Sequence, residues 1–272
     1  MQFRLQSSVT SAVEVEKACS GISVVIPAYN EEKRISPLLH DLTKNLKCIQ
    51  NITVVVDGND GTEAIVKSFG ADISVLKFEK KLGRGGAVLE GIKNTKSETV
   101  CFVDADGSAP WFELARVAST INRENQCSVG SRWVRGSVIH NHEPLSKTIS
   151  GRLWHYINFL LLGIRTKDVQ CGLKCFYGSL AREVANKVTT TNSLFDVALL
   201  YNIKRMGHNV TEIGIEWSHK EGTKMSLTKN HVFLMFLGVL GIRFVHTNFY
   251  KRHGKLLDSR ARKVLRFINQ FH

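Results

Sequence analysis

The sequence predicts an α/β fold, a mainly parallel sheet flanked by helices, with a C-terminal amphipathic helical extension. Three observations predict it. Short β-branched runs alternate along the chain with segments whose apolar residues recur every three or four positions, the pattern of βαβ units. Polar residues follow directly on those runs, at Asn30, Asp57, Asp104 and Asp106. An apolar helical segment late in the chain passes into a strongly cationic one.

The elements follow in order. Ile22 to Ile26 reads as a first strand closed by Pro27, and Ile35, Leu38, Leu39, Leu42 and Leu46 give a helix its apolar face. Ile52 to Val56 is a second strand ending in Asp57-Gly58-Asn59-Asp60-Gly61, after which Thr62 is placed to cap a helix. Ile73 to Phe78 makes a third strand, Gly83 to Asn94 a helix opened by glycine, and Thr99 to Val103 a fourth strand. A helix from Trp111 to about Asn122 and a strand over Cys127 to Val129 come next. Beyond Gly130 the pattern predicts a helix over Pro144 to Ile164, a strand over Leu173 to Tyr177, and helices over Ser179 to Lys187 and Leu194 to Met206. Val210 to Trp217 alternates as one strand, Thr228 to Tyr250 is a long helical pattern, and Lys255 to Phe271 a basic helix. Parallel sheets bind ligands beyond the carboxyl ends of their strands, so one edge should gather Asn30, Asp57, Asp104 and Asp106.

Composition narrows the partners. Lys and Arg number 37 against 24 Asp and Glu, so the surface attracts polyanions. From Arg243 to His272 eight Lys or Arg stand against the single acid Asp258. Aromatic-basic signatures and zinc-ligand spacings are both missing, so nucleic acid is not an expected partner. Cys19, Cys48, Cys101, Cys127, Cys171 and Cys175 form no CxxC pair and read as reduced thiols. The first twenty residues lack the apolar core of a signal peptide, and no run reaches the ~18 apolar residues that span a bilayer.

Chemistry concentrates in a few places. In Cys101-Phe102-Val103-Asp104-Ala105-Asp106-Gly107-Ser108 an apolar strand ends in two carboxylates one residue apart. Such a pair converges on one point and suits Mg²⁺ or Mn²⁺ held jointly with substrate phosphates, although Asp-Gly-Ser is also ordinary turn chemistry. Gly83-Arg84-Gly85-Gly86-Ala87 offers backbone amides at a helix start beside Arg84, a place for a diphosphate; the same glycines would also serve close helix packing. A dinucleotide fold is disfavoured, because the first strand-helix turn, Pro-Ala-Tyr-Asn, has no glycine. His140-Asn141-His142 reads as a solvated loop, and Cys171 and Cys175 as small buried hydrophobes. Asp196 either caps a helix begun by Asn192 and Ser193 or faces the cleft.

Seven stretches in order carry a resemblance: Val25-Ile26-Pro27-Ala28-Tyr29-Asn30-Glu31-Glu32, Gly83 to Val88, Asp104-Ala105-Asp106-Gly107, Gly130-Ser131-Arg132, Asp168-Val169-Gln170-Cys171-Gly172-Leu173-Lys174, Phe195-Asp196-Val197 and Glu221 to Ser226. Together they resemble an inverting family-2 glycosyltransferase of the GT-A fold, within it the dolichyl-phosphate β-glucosyltransferases and other polyprenyl-phosphate sugar synthases. Three departures stand out: Asp57-Gly58-Asn59-Asp60 for the usual Asp-Asp-Gly-Ser, Arg84 where Lys is commoner, and Ala198 where a Glu often stands. The resemblance implies that Pro27, Tyr29, Glu31 and Asp57 line a nucleoside pocket, with Arg84 and Gln170 also at the nucleotide sugar. Asp104 and Asp106 would hold the metal, Arg132 and Lys174 would grip an acceptor phosphate, and Asp196 would orient the cleft or the sugar.

The expected organisation is an N-terminal tail over 1–20, a catalytic domain over 21–227 and a membrane-associating helix with basic tail over 228–272. The expected partners are a nucleotide sugar, UDP-glucose favoured, a dolichyl or polyprenyl phosphate, and an anionic membrane surface at whose cytoplasmic face the protein would lie peripherally. Val232 to Leu237 would rest at that surface or simply complete the core. Alternatives are a GDP-mannose donor, a saccharide or protein hydroxyl acceptor with Asp196 as base, or a non-catalytic binding or scaffold protein.

Overall fold

The protein is described by a computed structural model over residues 21–45, 49–71, 73–140, 145–220 and 229–247. Outside those residues lie the 1–20 tail, His142, the Glu221 to Ser226 motif and the basic helix expected over Lys255 to Phe271.

The strands are β1 (Ile22–Ala28), β2 (Ile49–Val56), β3 (Ile73–Lys77), β4 (Thr99–Val103), β5 (Cys127–Ser131), β6 (Val138–His140), β7 (Leu173–Tyr177), β8 (Thr211–Gly214) and β9 (Glu216–Ser218). The helices are α1 (Ile35–Asn45), α2 (Thr62–Ser68), α3 (Gly83–Lys93), α4 (Trp111–Ala118), α5 (Leu145–Leu162), α6 (Gly178–Lys187), α7 (Phe195–Arg205) and α8 (Lys229–Val245). Seven strands form one sheet in the order β3-β2-β1-β4-β7-β5-β8, and β6 pairs with β9 in a second. Only β7 runs against its neighbours β4 and β5 in the large sheet.

After β3 the chain crosses back over β1 to place β4 on its other side. That reversal opens a crevice beyond the carboxyl ends of β1 and β4, where doubly wound sheets bind ligands. Pro27 sits where the sheet begins to open: it still pairs with Val55 of β2, while the β1–β4 register ends at Val25↔Phe102. Its missing N–H therefore takes no bond from the β4 ladder.

Alternation on the central strands divides the core into two layers. Val25, Val100, Phe102 and Phe176 face the layer built with α3, α5, α6, α7 and α8. Val24, Ile26, Cys101, Leu173 and Cys175 face the layer built with α1, α2 and α4. Met235, Val239 and Ile242 of α8 belong to the first layer. Burying each such side chain stabilises by about 1.5–3 kcal/mol before entropy is counted, so the inner face of α8 is part of the core.

Four expectations are corrected. Cys101 and Cys175 are joined by a disulfide rather than free, because the antiparallel register sets them opposite one another on one face of β4 and β7. Cys127 and Cys171 are free and buried, and desolvation pushes both thiols up to about 12. Val210 to Trp217 divides into β8 and β9, since Gly214 lies too close to the 135–137 backbone for a side chain and the strand then turns to pair with β6. His140 is in β6, not a loop, with Nε2 2.8 Å from Glu216 Oε1. Thr62 begins α2 rather than capping it: Gly61 holds the cap position, and Asp60 Oδ1 accepts the Thr62 amide at 3.1 Å.

Candidate active site

The exits of β1 and β2 are tied together. Asn30 adopts φ 54, a left-handed conformation that Asn tolerates, and its Oδ1 accepts the Asn59 amide at 3.1 Å. Glu31 is clamped by both arms of Arg34, at 2.8 and 2.7 Å, while its amide donates to Thr62 Oγ1. Lys81 Nζ lies 4.1 Å from the centre of the Tyr29 ring. Asp57 is buried, and its Oδ2 accepts the amides of Leu82 at 2.7 Å and Gly83 at 3.0 Å.

That last pair corrects the expected use of the α3 glycines. The amides of Leu82 and Gly83 are taken by Asp57, and that of Gly85 by the carbonyl of Thr191 at 3.0 Å. Gly85 is small because a Cβ there would sit 2.5 Å from the Phe195 side chain, so close packing of α3 on α7 explains it. What this turn presents to the crevice is the Arg84 guanidinium.

Arg84 bridges two carboxylates. Nε donates to Asp104 Oδ1 and Nη1 to Asp196 Oδ2, each at 2.7 Å. Its third nitrogen, Nη2, is buried with no acceptor, an arrangement that costs free energy unless a ligand oxygen completes it. On the far side of Asp196, Lys174 Nζ donates to Oδ1 at 2.6 Å and to the Cys171 carbonyl at 2.7 Å. Lys174 has no exposed side-chain surface, so its ammonium meets Asp196 from below rather than the open cleft. Phe102 floors the network, with Arg84 Cζ 5.6 Å and Lys174 Nζ 5.3 Å from its ring centre.

Asp196 is therefore not the helix cap. Leu194 holds that position, and both carboxylate oxygens go to cations. Burial alone would raise its pKa, but Arg84 and Lys174 outweigh burial and hold the carboxyl below its ordinary range. The folded state thus binds this proton more weakly than the unfolded chain does. The resulting stability is present above the ordinary carboxylate pKa of about 3.9 and is lost as pH falls through the folded value. Asp196→Asn should consequently destabilise the fold at neutral pH and by less and less below about pH 4, read from urea midpoints at a series of pH values. A deficit that stayed constant into acid would refute the ionised pair.

Asp104 and Asp106 close β4 at the crevice, both partly exposed. Asp106 Oδ1 accepts the Ser108 amide at 2.9 Å and Gly107 takes φ 66, so the Asx turn is real. Among the described residues no hydrogen-bond donor reaches Oδ2 of either aspartate. Gly172 leaves the space for Asp104: a Cβ at that position would lie 2.1 Å from Asp104 Oδ2, and the Gly172 carbonyl accepts the Asp104 amide at 3.1 Å. Burial raises the Asp104 carboxyl above its ordinary range against the pull of Arg84, with Asp106 and Asp196 adding to the rise. Among the described residues no cluster of three or more His, Cys, Asp or Glu could hold a metal ion. The two aspartates still fit a hard divalent cation that takes its remaining oxygens from water and substrate phosphates.

Arg132 extends the edge at the end of β5. Its amide and Nε reach Asp168 Oδ2 at 2.9 and 2.7 Å, and Nη2 reaches Oδ1 at 2.8 Å. It lines a cavity of about 510 Å³ with Trp133, Arg152, His155, Tyr156, Lys167 and Trp217 among its walls. Gln170 Nε2 lies 3.4 Å from the Ser193 carbonyl beside the start of α7. Sequence reasoning did not single out Gly172, Phe102, Arg152, His155, Tyr156 or Lys167. Gly172 and Phe102 lie within the Asp168–Lys174 and Cys101–Ser108 motifs, and of the two only Gly172 carried a signal, as a glycine between Gln170 and Lys174.

A mostly parallel sheet flanked by helices, with its crevice where the strand order reverses, is the fold of a GT-A glycosyltransferase. The solved structure of glucosyl-3-phosphoglycerate synthase from Mycobacterium tuberculosis with Mn²⁺, UDP and phosphoglyceric acid shares that fold, with a TM-score of 0.61, 16% identity and coverage of 85% of this chain and 81% of that one. The chain belongs to glycosyl transferase family 2, whose model matches residues 23–188. Among curated proteins it is similar to the dolichyl-phosphate beta-glucosyltransferase of Dictyostelium discoideum, 27% identical over 81% of this chain and 76% of the relative. Those of Saccharomyces cerevisiae (29% identical, 81% and 76% covered) and Homo sapiens (27%, 75% and 69%) are similar too.

Proposed function

We propose that this protein is an inverting, metal-dependent hexosyltransferase that moves a sugar, glucose from UDP-glucose in the favoured reading, to dolichyl or polyprenyl phosphate. The names of its relatives support the acceptor and the sugar. The single observation that carries the chemistry is the Asp104–Arg84–Asp196–Lys174 chain at the carboxyl edge of the sheet.

In this reading Pro27, Tyr29, Glu31 and Asp57 frame the nucleoside, and Gln170 stands beside the sugar. Arg84 gives its unpaired Nη2 to a donor phosphate oxygen. Asp104 and Asp106 would hold Mg²⁺ or Mn²⁺, which when bound neutralises charge on the departing diphosphate. The acceptor attacks the anomeric carbon from the face opposite the leaving nucleotide, inverting that centre.

The state of Asp196 favours a phosphate acceptor over a hydroxyl. A general base works best with a pKa near the operating pH, and this carboxyl is pulled the other way by two cations. A lipid monophosphate has a second pKa of about 6 and is already an anionic nucleophile at neutral pH. Asp196 then orients Arg84, and Lys174 holds Asp196. Arg132, partly exposed beside the cavity, is the group placed to meet the acceptor phosphate.

Residues 21–227 would form the catalytic domain, and 228–272 would attach it peripherally to the cytoplasmic face of a membrane. Among the described residues no helix is long and apolar enough to cross one. The test is incubation with radiolabelled UDP-glucose or GDP-mannose and dolichyl phosphate, followed by organic extraction. Label should pass into lipid from UDP-glucose, with a rate that rises through the acceptor's second ionisation. Transfer only to water-soluble hydroxyl acceptors would overturn the assignment.

A further inference from the structure

The segment that follows α5 is held by side chains from three elements. Lys204 Nζ of α7 donates to the carbonyls of Leu162 at 3.0 Å and Gly163 at 2.8 Å, capping the end of the helix. His155 Nδ1, from α5 itself, donates to the Thr166 carbonyl at 2.9 Å. Glu212 of β8 closes the segment: its Oε2 accepts the Lys167 amide at 2.8 Å and its Oε1 the Asp168 amide at 3.1 Å. A carboxylate that accepts two consecutive amides fixes the backbone between them, and such charge-assisted bonds are roughly twice as strong as neutral ones.

Lys167 and Asp168 leave that clamp in opposite directions. Asp168 is fully buried and meets Arg132 through its amide, Nε and Nη2. Lys167 is exposed and lines the same cavity as Arg132. Asp168 offsets the Arg132 charge, whereas among the described residues no carboxylate pairs with the Lys167 ammonium and no Asp or Glu lines the cavity. Walls of that kind suit an anion. The register also places them: Val129 pairs with Lys174, so Ser131 comes level with Gly172, whose carbonyl accepts the Asp104 amide. Arg132 therefore stands on the same sheet edge as Asp104, about 10 Å away across the intervening β7.

We propose that Glu212 is a positioning residue for acceptor recognition: its clamp on the 167–168 amides sets Lys167 and, through Asp168, Arg132 on one wall of the cavity, where both meet the acceptor phosphate. Lys167 is thereby a second cation for a phosphate monoester, whose charge at pH 7 is about −1.5 to −2. Glu212 itself does not line the cavity, so replacing it removes no contact with the ligand and acts only through the turn. The proposal rests on the reading of this cavity as the acceptor site.

A short, water-soluble prenyl monophosphate, titrated without donor, tests it, with binding read from the emission of Trp133 and Trp217 in the cavity wall. Titration of UDP with Mn²⁺ is the control for the rest of the crevice. Glu212→Gln keeps the size of the side chain but loses its charge and one acceptor. Affinity for prenyl phosphate should fall about tenfold, in the range of a lost charge-assisted hydrogen bond, while UDP affinity is unchanged. In transfer assays the KM for prenyl phosphate should rise and the KM for UDP-glucose should not. Arg132→Gln with Lys167→Gln should weaken prenyl phosphate further than Glu212→Gln does. Adding Glu212→Gln to that pair should then change affinity by less than about twofold, because a residue that acts through others is not additive with them. Unchanged affinity in Glu212→Gln, an equal loss of UDP binding, or a full additional loss in the triple variant would each overturn the proposal. If Arg132→Gln with Lys167→Gln binds prenyl phosphate as the wild type does, the acceptor site is misplaced and the proposal falls with it. If the losses follow the expected pattern while no sugar is ever transferred, the positioning role stands and the enzymatic reading fails.

Discussion

Asp106→Asn should remove nearly all sugar transfer while leaving the protein folded. Its Oδ1 accepts the Ser108 amide that shapes the turn, and an asparagine oxygen can keep that bond while the negative charge is lost. The loss should fall on turnover by a factor of about 10²–10³ or more, the range seen when one group that stabilises developing charge is removed. Chelation of divalent ions should imitate the substitution, and Mn²⁺ or Mg²⁺ should restore the wild type but not the variant. The readout is initial rate with saturating donor, alongside a thermal midpoint to show that the fold survives. Full turnover in chelator would remove the metal from the mechanism, and full turnover of the variant would remove Asp106.

The largest expected effect on stability is at Lys174. Its ammonium is fully buried and bonds only Asp196 and the Cys171 carbonyl, opposite Phe102 in the β4–β7 register. Lys174→Met fills similar space but leaves Asp196 buried with Arg84 as its remaining cation. Removing one partner of a buried pair costs about 3–5 kcal/mol, because the other charge is left undercompensated. Restoring neutrality with Lys174→Met and Asp196→Leu together should recover much of that stability while activity stays low, since Arg84 would then lack one of its two anchors. Guanidinium denaturation of the three proteins separates the pair's structural role from its catalytic one. Equal stability of Lys174→Met and wild type would show that the pair contributes nothing to the fold. If Lys174→Met instead folds normally and only raises the KM for lipid phosphate, Lys174 grips the acceptor after all.

The parallel units, the edge that gathers Asp57, Asp104 and Asp106, and the pairing of turn chemistry with an acidic pair were legible because each is local. A strand followed by a carboxylate is a pattern within a few residues, and strand polarity then assigns all such residues to one edge. The antiparallel β7 was harder, since nothing in Leu173 to Tyr177 distinguishes the direction of a buried strand. Its direction sets Cys175 opposite Cys101 and Lys174 opposite Phe102. Both the disulfide and the burial of the lysine follow from that register. A lysine inside a motif reads as a ligand-binding group until its surroundings are known.

By itself the sequence determined which residues alternate, which turns carry carboxylates, and that the chain is a family-2 glycosyltransferase in pattern, because period and turn chemistry are properties of neighbours along the chain. Only the tertiary structure decided that Arg84 spans Asp104 and Asp196, that Asp57 takes the amides expected to be offered to a diphosphate, and that α5 turns a second apolar face, with Leu153, Tyr156 and Leu160, outward. Those facts depend on contacts between residues up to 112 positions apart, as with Arg84 and Asp196. A periodic pattern specifies that a helix has an apolar face, and packing alone specifies which apolar face remains uncovered.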